Sequence, residues 1–115
     1  MKYLHILAFA SALASLTACT PEQRAQKSEA VKTALQGSPT LRENFYASCR
    51  SGNVTAKQKQ AIAAMANVSA NDPMAVVCRR VVNGLTAGKI TSEEVETFVR
   101  TQVPSPNIIK VVQGR

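Results

Sequence analysis

The stretch from Asp72 to Gly88, DPMAVVCRRVVNGLTAG, predicts the central helix of the protein. Its aspartate is a good helix cap, its proline suits the first helical position, and its last glycine suits a helix end. Apolar residues recur within it at intervals of three and four, which predicts one buried stripe along a helix. The stripe consists of Met74, Val77, Cys78, Val81 and Leu85. Arg79, Arg80 and Asn83 fall outside it, on the predicted solvent side.

Similar start and stop signals divide the rest of the chain into short helical segments. They predict helices over Thr20 to Gly37, Ser38 to Gly52, Thr55 to about Ala66, and Thr91 to Pro104. The first of these is strongly polar, so it serves as a spacer as much as a core element. No strand alternation of useful length occurs between the helical segments. The sequence therefore predicts an all-α fold, a small bundle of four to five short helices with one disulfide.

The tail from Ser105 to Arg115 is ambiguous. Its Ser-Pro start and its late glycine favour a short helix, as in the second segment. Its β-branched residues would instead suit an edge strand. These residues are Ile108, Ile109, Val111 and Val112. We favour the short helix.

The first 18 residues have the pattern of an export signal. Lys2 gives a positive start, and the apolar run from Tyr3 to Leu16 is too short to span a bilayer comfortably. The run ends in Leu16-Thr17-Ala18-Cys19, which resembles the lipobox of bacterial lipoproteins. The alternative is an ordinary secretory signal cut after Ala18. In a secreted eukaryotic protein, Asn53 and Asn67 would then be glycosylation acceptors.

The resemblance to bacterial lipoproteins implies both an anchor and a location. Cys19 would become the new N-terminus, linked to diacylglycerol and N-acylated, as with palmitate. Thr20 follows Cys19. An aspartate at this position would favour retention in the inner membrane, so the threonine implies sorting to the periplasmic side of the outer membrane. The resulting organisation is a signal peptide (1–18), a lipid-anchored polar spacer and first helix (19–37), and a helical domain (38–115).

With Cys19 assigned to the lipid, Cys49 and Cys78 remain, an even number in a compartment that permits disulfides. Both lie on apolar faces of predicted helices. One bridge between them would close a loop of about 30 residues and stabilise the fold by roughly 3 to 4 kcal/mol. The alternative is two buried free thiols. A redox site is disfavoured because the spacing is not Cys-x-x-Cys.

The residues available for catalysis are few. The only histidine, His5, lies in the predicted signal peptide, so the mature chain has no imidazole. Glu93, Glu94 and Glu96 form an acidic cluster, but their place in a first helical turn favours a helix-dipole role. The segment 83–94 has the glycine of a calcium loop but too few oxygen ligands. We predict no enzymatic activity, no cofactor and no metal.

The mature chain is strongly basic. Of 14 lysines and arginines, 13 remain without Lys2, against 7 acidic residues, which gives a net charge of +6. This excess favours an anionic envelope component or an envelope protein as partner, with no nucleic-acid motif present. Lys57, Lys59, Arg79 and Arg80 are the candidate binding residues, and the alternative is that they only solvate outer faces.

The sequence thus predicts a small lipid-anchored envelope lipoprotein that acts as a non-enzymatic binding module. Two alternatives remain at this point: an inhibitor or exclusion lipoprotein, and a structural subunit of a secretion or conjugation complex.

Overall fold

The computed structural model describes residues 20–68 and 71–115, where every regular element is an α-helix. The helices are α1 (Pro21–Gly37), α2 (Pro39–Arg50), α3 (Ala56–Ala66), α4 (Pro73–Ala87), α5 (Ser92–Thr101) and α6 (Pro106–Val112). The all-α class is confirmed, although these six helices exceed the predicted four to five. The predicted signal peptide and Cys19 lie outside the described residues. Within the described ranges, no helix has the length and apolar character needed to cross a membrane.

Each helix begins at a cap residue that the sequence indicates. The caps are Thr20, Ser38, Thr55, Asp72, Thr91 and Ser105. The three threonines form capping boxes, in which the threonine side chain and the residue three positions later each bind the other's backbone N–H. At the other caps, the side-chain oxygen accepts one backbone N–H and a proline occupies the first turn. These local bonds explain where the helices start.

The tail is a helix because its local start signal and its tertiary packing act together. The Ser105 hydroxyl accepts a hydrogen bond from the backbone N–H of Ile108 at 3.2 Å. Ile108, Val111 and Val112 are then buried in the core. Their weak intrinsic preference against helix amounts to only a few tenths of a kcal/mol each, which is less than burial of such side chains contributes.

Helix α4 is the centre of the bundle. It contacts α1, α2, α3 and α6, while α5 packs against α1. The pair α1 and α2 pack against each other beside α4, and so do α3 and α6. In the part of the chain that the structure describes, these two pairs have at most marginal contact with each other. Helix α4 therefore lies between the α1–α2 pair and the α3–α6 pair.

Burial along α4 is broader than the predicted stripe. Val77, Cys78 and Leu85 are buried as the pattern indicates, but Val82 is buried as well, and Met74 and Val81 are only half-buried. The difference arises because neighbours cover α4 on more than one side. Gly84 is also buried, and a Cβ there would lie 2.8 Å from a methyl carbon of Val111. The missing side chain lets α6 approach α4 closely.

Helix α1 contributes to the core instead of acting only as a spacer. Leu35 has no exposed surface and belongs to the main apolar cluster, to which the half-buried Val31 is adjacent. The first turns of α1 are exposed, apart from a half-buried Ser28. The N-terminal half of the helix thus contacts α5 through polar side chains, and its C-terminal half packs in the core.

Helix α2 is attached to α4 by the predicted disulfide. The Cys49 and Cys78 sulfurs are bonded, with their Cα atoms 5.7 Å apart, which confirms the bridge and rules out two free thiols. Cys78 has no exposed surface, whereas α2 itself contains no buried residue. The covalent bond therefore adds to the packing of a helix that has no fully buried side chain of its own.

Candidate functional site

The four candidate basic residues do not form a single cluster. Lys57 and Lys59 are exposed near the start of α3, whereas Arg79 and Arg80 are half-buried on α4. The two arginines are neighbours in sequence but extend to opposite sides of the bundle. Arg79 contacts α2, and Arg80 contacts the ends of α3 and α6. The sequence leaves open that all four residues lie on one surface. In the structure they do not.

Arg79 lies in a small network of aromatic and charged side chains. Its guanidinium carbon is 3.8 Å from the centroid of the Tyr46 ring, and its Nη1 donates to Glu43 Oε1 at 2.8 Å. A second bond joins Arg79 Nη2 to Glu43 Oε2 at 3.4 Å, which makes the contact bidentate. Arg50 also lies near the Tyr46 ring and forms an ion pair with Asp72. Both cations of this network therefore already have an acidic partner.

The ion pair between Glu43 and Arg79 is linked to pH. The hydrogen bond from Arg79 lowers the pKa of Glu43 below its ordinary value, partly opposed by desolvation. The same bond raises the pKa of Arg79. A lowered carboxyl pKa stabilises the fold above the unfolded-state pKa of Glu43, and this contribution is lost as the pH falls through the folded-state pKa. Because Glu43 is exposed and Arg79 is only half-buried, the contribution is screened by solvent and salt.

Arg80 joins the C-terminal ends of two helices. Its Nη1 donates to the backbone oxygen of Ala66 at 3.2 Å and to that of Val112 at 2.8 Å. Gly114 lies against the guanidinium with a φ of +79°, and a Cβ there would be 3.2 Å from Arg80 Cζ. A cation at a helix C-terminus interacts favourably with the helix dipole. The apolar stripe predicts that Arg80 lies on the solvent side of α4, and this is wrong. Arg80 instead joins the ends of α3 and α6 as a structural clamp.

We expect Arg80→Met to destabilise the domain by about 2 kcal/mol, because two backbone carbonyls lose a charged donor. Arg79→Met is the matched control, since it removes the same charge from the adjacent position on α4. Chemical denaturation of both variants measures the difference. Equal free energies of unfolding in the two variants would contradict the clamp role of Arg80.

The acidic cluster at the start of α5 is occupied by structural contacts. Glu93 pairs with Arg24 at 3.3 Å, and Glu96 pairs with Lys27 at 2.9 Å, so both carboxylates join α5 to α1. Glu94 accepts hydrogen bonds from the Thr91 backbone at 2.8 Å and, at 3.1 Å, from the side chains of Ser105 and Asn107. These contacts connect the start of α5 to the start of α6.

The acidic residues and the recorded ion pairs are concentrated away from α3 and α6. The acidic residues of the chain are Glu22, Glu29, Glu43, Asp72, Glu93, Glu94 and Glu96. They lie on α1, α2, α5 or the cap of α4, and α3 and α6 contain none. Lys57, Lys59 and Lys110 are exposed on these two helices, and the structure records no ion pair for them within the described ranges.

Sequence reasoning missed Lys110 as a member of this group. The absence of acidic residues from 56–66 and 106–112 is visible in the sequence, but the contact between α3 and α6 comes only from the fold. Two shallow surface depressions lie elsewhere, one along α2 and one between α5 and the segment 103–105. Comparison of the chain with protein-family models, with curated proteins and with solved structures gave no match.

Proposed function

We propose that this chain is a small bacterial envelope lipoprotein, anchored by lipid on Cys19 and acting without catalysis as a binding module for an anionic or protein partner. Its location would be the periplasmic side of the outer membrane. The observation that carries the proposal is the position of Cys19 immediately before Thr20, the cap of α1. Cleavage before Cys19 would remove everything that precedes the helical domain and none of the domain itself.

The shape of α1 suits a lipid-anchored domain. The helix has 17 residues and is therefore about 25 Å long. Its exposed first turns follow the predicted lipid site directly, and its second half is anchored in the core by Leu35. A lipid on Cys19 would thus connect to the domain through a short helical support, with only Thr20 between the lipid and the helix.

The binding role is supported by charge. The net charge of +6 on the mature chain favours an anionic component of the envelope, and the uneven distribution of that charge gives one side of the domain a basic character.

Replacement of Cys19 by serine should block lipidation and maturation of the chain. Two or three acyl chains, each contributing about 0.8 kcal/mol per buried methylene, would make anchoring effectively permanent, whereas the serine variant cannot accept the thioether-linked lipid. Metabolic labelling with a radioactive fatty acid and mass spectrometry of the N-terminal peptide measure the modification directly.

Ala18→Gly is the matched control, because it keeps a small residue before the cysteine and should still be lipidated. The proposal fails if the wild-type N-terminal peptide carries no lipid mass. It also fails if Cys19→Ser is processed and retained in the membrane like the wild type.

A further inference from the structure

We infer that the α3–α6 surface, which carries the exposed residues Lys57, Lys59 and Lys110, docks on a layer of anionic phospholipid headgroups. This inference rests on the proposed function, because lipid on Cys19 would hold the domain beside a bilayer. It names both the surface that binds and the partner that it takes.

Charged residues are distributed unevenly around α4. The recorded ion pairs join residues of α1, α2, α4, α5 and the cap of α4, so that side of the described domain is close to neutral. The three lysines of the α3–α6 surface account for three of the six excess positive charges, and Arg80 is occupied by backbone carbonyls. Neither α3 nor α6 contains an acidic residue, although Glu94 of α5 contacts Ser105 and Asn107 at the start of α6.

The C-terminal ends of α3 and α6 both lie at Arg80. The C-terminus of a helix carries partial negative charge on its unpaired carbonyls, which would oppose binding of anions. Arg80 donates to Ala66 O at the end of α3 and to Val112 O at the end of α6. Its guanidinium therefore offsets the negative ends of both helices, and the basic character of the surface is preserved.

The positions of the large exposed apolar side chains favour one kind of partner. Protein interfaces depend on a few large anchors, mostly aromatic, that become buried on binding. The large apolar side chains exposed on the described domain are Phe45, Val99 and Val103, and they lie on α2, on α5 and in the loop after α5. Separated lysines without a large exposed apolar anchor beside them suit an extended headgroup layer.

The expected strength suits a tethered domain. Each lysine near an anionic membrane strengthens partitioning about fivefold, so three lysines alone give weak attachment. A lipid anchor raises the effective concentration of the domain at the bilayer surface. Weak binding of the lysines to headgroups is then enough to orient the domain.

The test is lysine acetylation of the lipidated protein, purified from envelopes and reconstituted into vesicles. One set of vesicles contains phosphatidylglycerol and phosphatidylcholine, and the other contains phosphatidylcholine alone. We expect acetylation of Lys57, Lys59 and Lys110 to be at least about fivefold slower in the anionic vesicles, a difference that high salt removes. Lys89 is the internal control, because it is exposed outside α3 and α6 and should react equally in both.

A variant series measures the contribution of charge. The double variant Lys57→Gln with Lys59→Gln should restore much of the reactivity of Lys110 in anionic vesicles, whereas Lys89→Gln should not. Thermal unfolding of the variants shows whether they fold, and the acetylation pattern of the unchanged protein decides the question independently of them.

The outcomes separate the docking surface from the anchor. Equal acetylation in the two vesicle types, with the protein still floating with neutral vesicles, overturns the docking inference and leaves the anchor intact. Failure to float with neutral vesicles overturns the proposed lipid anchor, and acetylation of the chain mixed with anionic vesicles then still decides the docking. Protection by an added acidic protein, but not by anionic vesicles, also overturns the inference and indicates a protein partner.

Discussion

Reduction of the Cys49–Cys78 disulfide is expected to lower the melting temperature of the domain by roughly 12 to 32 °C. The bridge closes a sequence separation of 29 residues, and the chain-entropy model assigns such a loop about 3 to 4 kcal/mol. Each kcal/mol corresponds to about 4 to 8 °C for a domain of this size. The loss is large because the total stability of a small domain is on the order of 5 to 15 kcal/mol.

After reduction, the loss of stability should begin at α2. This helix has no fully buried residue. Besides the disulfide, its half-buried Leu41 packs against the core, and exposed ion pairs join it to α4 and to the cap of α4. After reduction, amide hydrogen exchange should accelerate more in α2 than in the central helix α4. Chemical reduction of the wild type is the cleanest comparison, because it changes no side-chain volume. An unchanged melting temperature after complete reduction would contradict the prediction.

Leu35→Ala should destabilise the domain by about 2 to 5 kcal/mol. Leu35 is fully buried in the apolar cluster, so its truncation removes apolar burial and leaves a cavity. This destabilisation is large for a residue of a mainly polar helix. Its measurement tests whether α1 belongs to the folded unit. The free energy of unfolding from chemical denaturation gives the magnitude.

Thr33→Ala is the control for Leu35→Ala, because Thr33 is exposed on the same helix and its replacement should change stability by less than about 0.5 kcal/mol. If both variants unfold with the same free energy as the wild type, α1 is a spacer outside the core.

Local signals predicted the helices well because each depends on contacts between residues close in sequence. Thr55 and Gln58 form their capping box within one turn, and Asp72 with Pro73 starts α4 in the same local way. The disulfide was also predictable, since Cys49 and Cys78 occupy apolar positions of predicted helices. The tail was harder, because Ile108 and its β-branched neighbours are compatible with a strand until packing against α4 is known.

The candidate site was less predictable than the fold. Arg79 and Arg80 look equivalent in sequence, as adjacent residues outside one stripe. In the bundle, Arg79 reaches an acidic partner on α2, and Arg80 reaches carbonyls at two helix ends. Their roles depend on which helices lie on either side of α4, and no pattern within α4 contains that information.

The sequence by itself determined the helical class and the starts of the helices, because capping and apolar periodicity act over a few residues. It predicted the Cys49–Cys78 pair but left free thiols open, and the structure decided for the bridge. Tertiary structure decided the broad burial of α4, the core role of Leu35 and the separation of a neutral side from a basic side. The physical reason is that burial and electrostatic partners depend on contacts between distant segments. Lys59 and Lys110 lie on neighbouring helices only because α3 packs against α6.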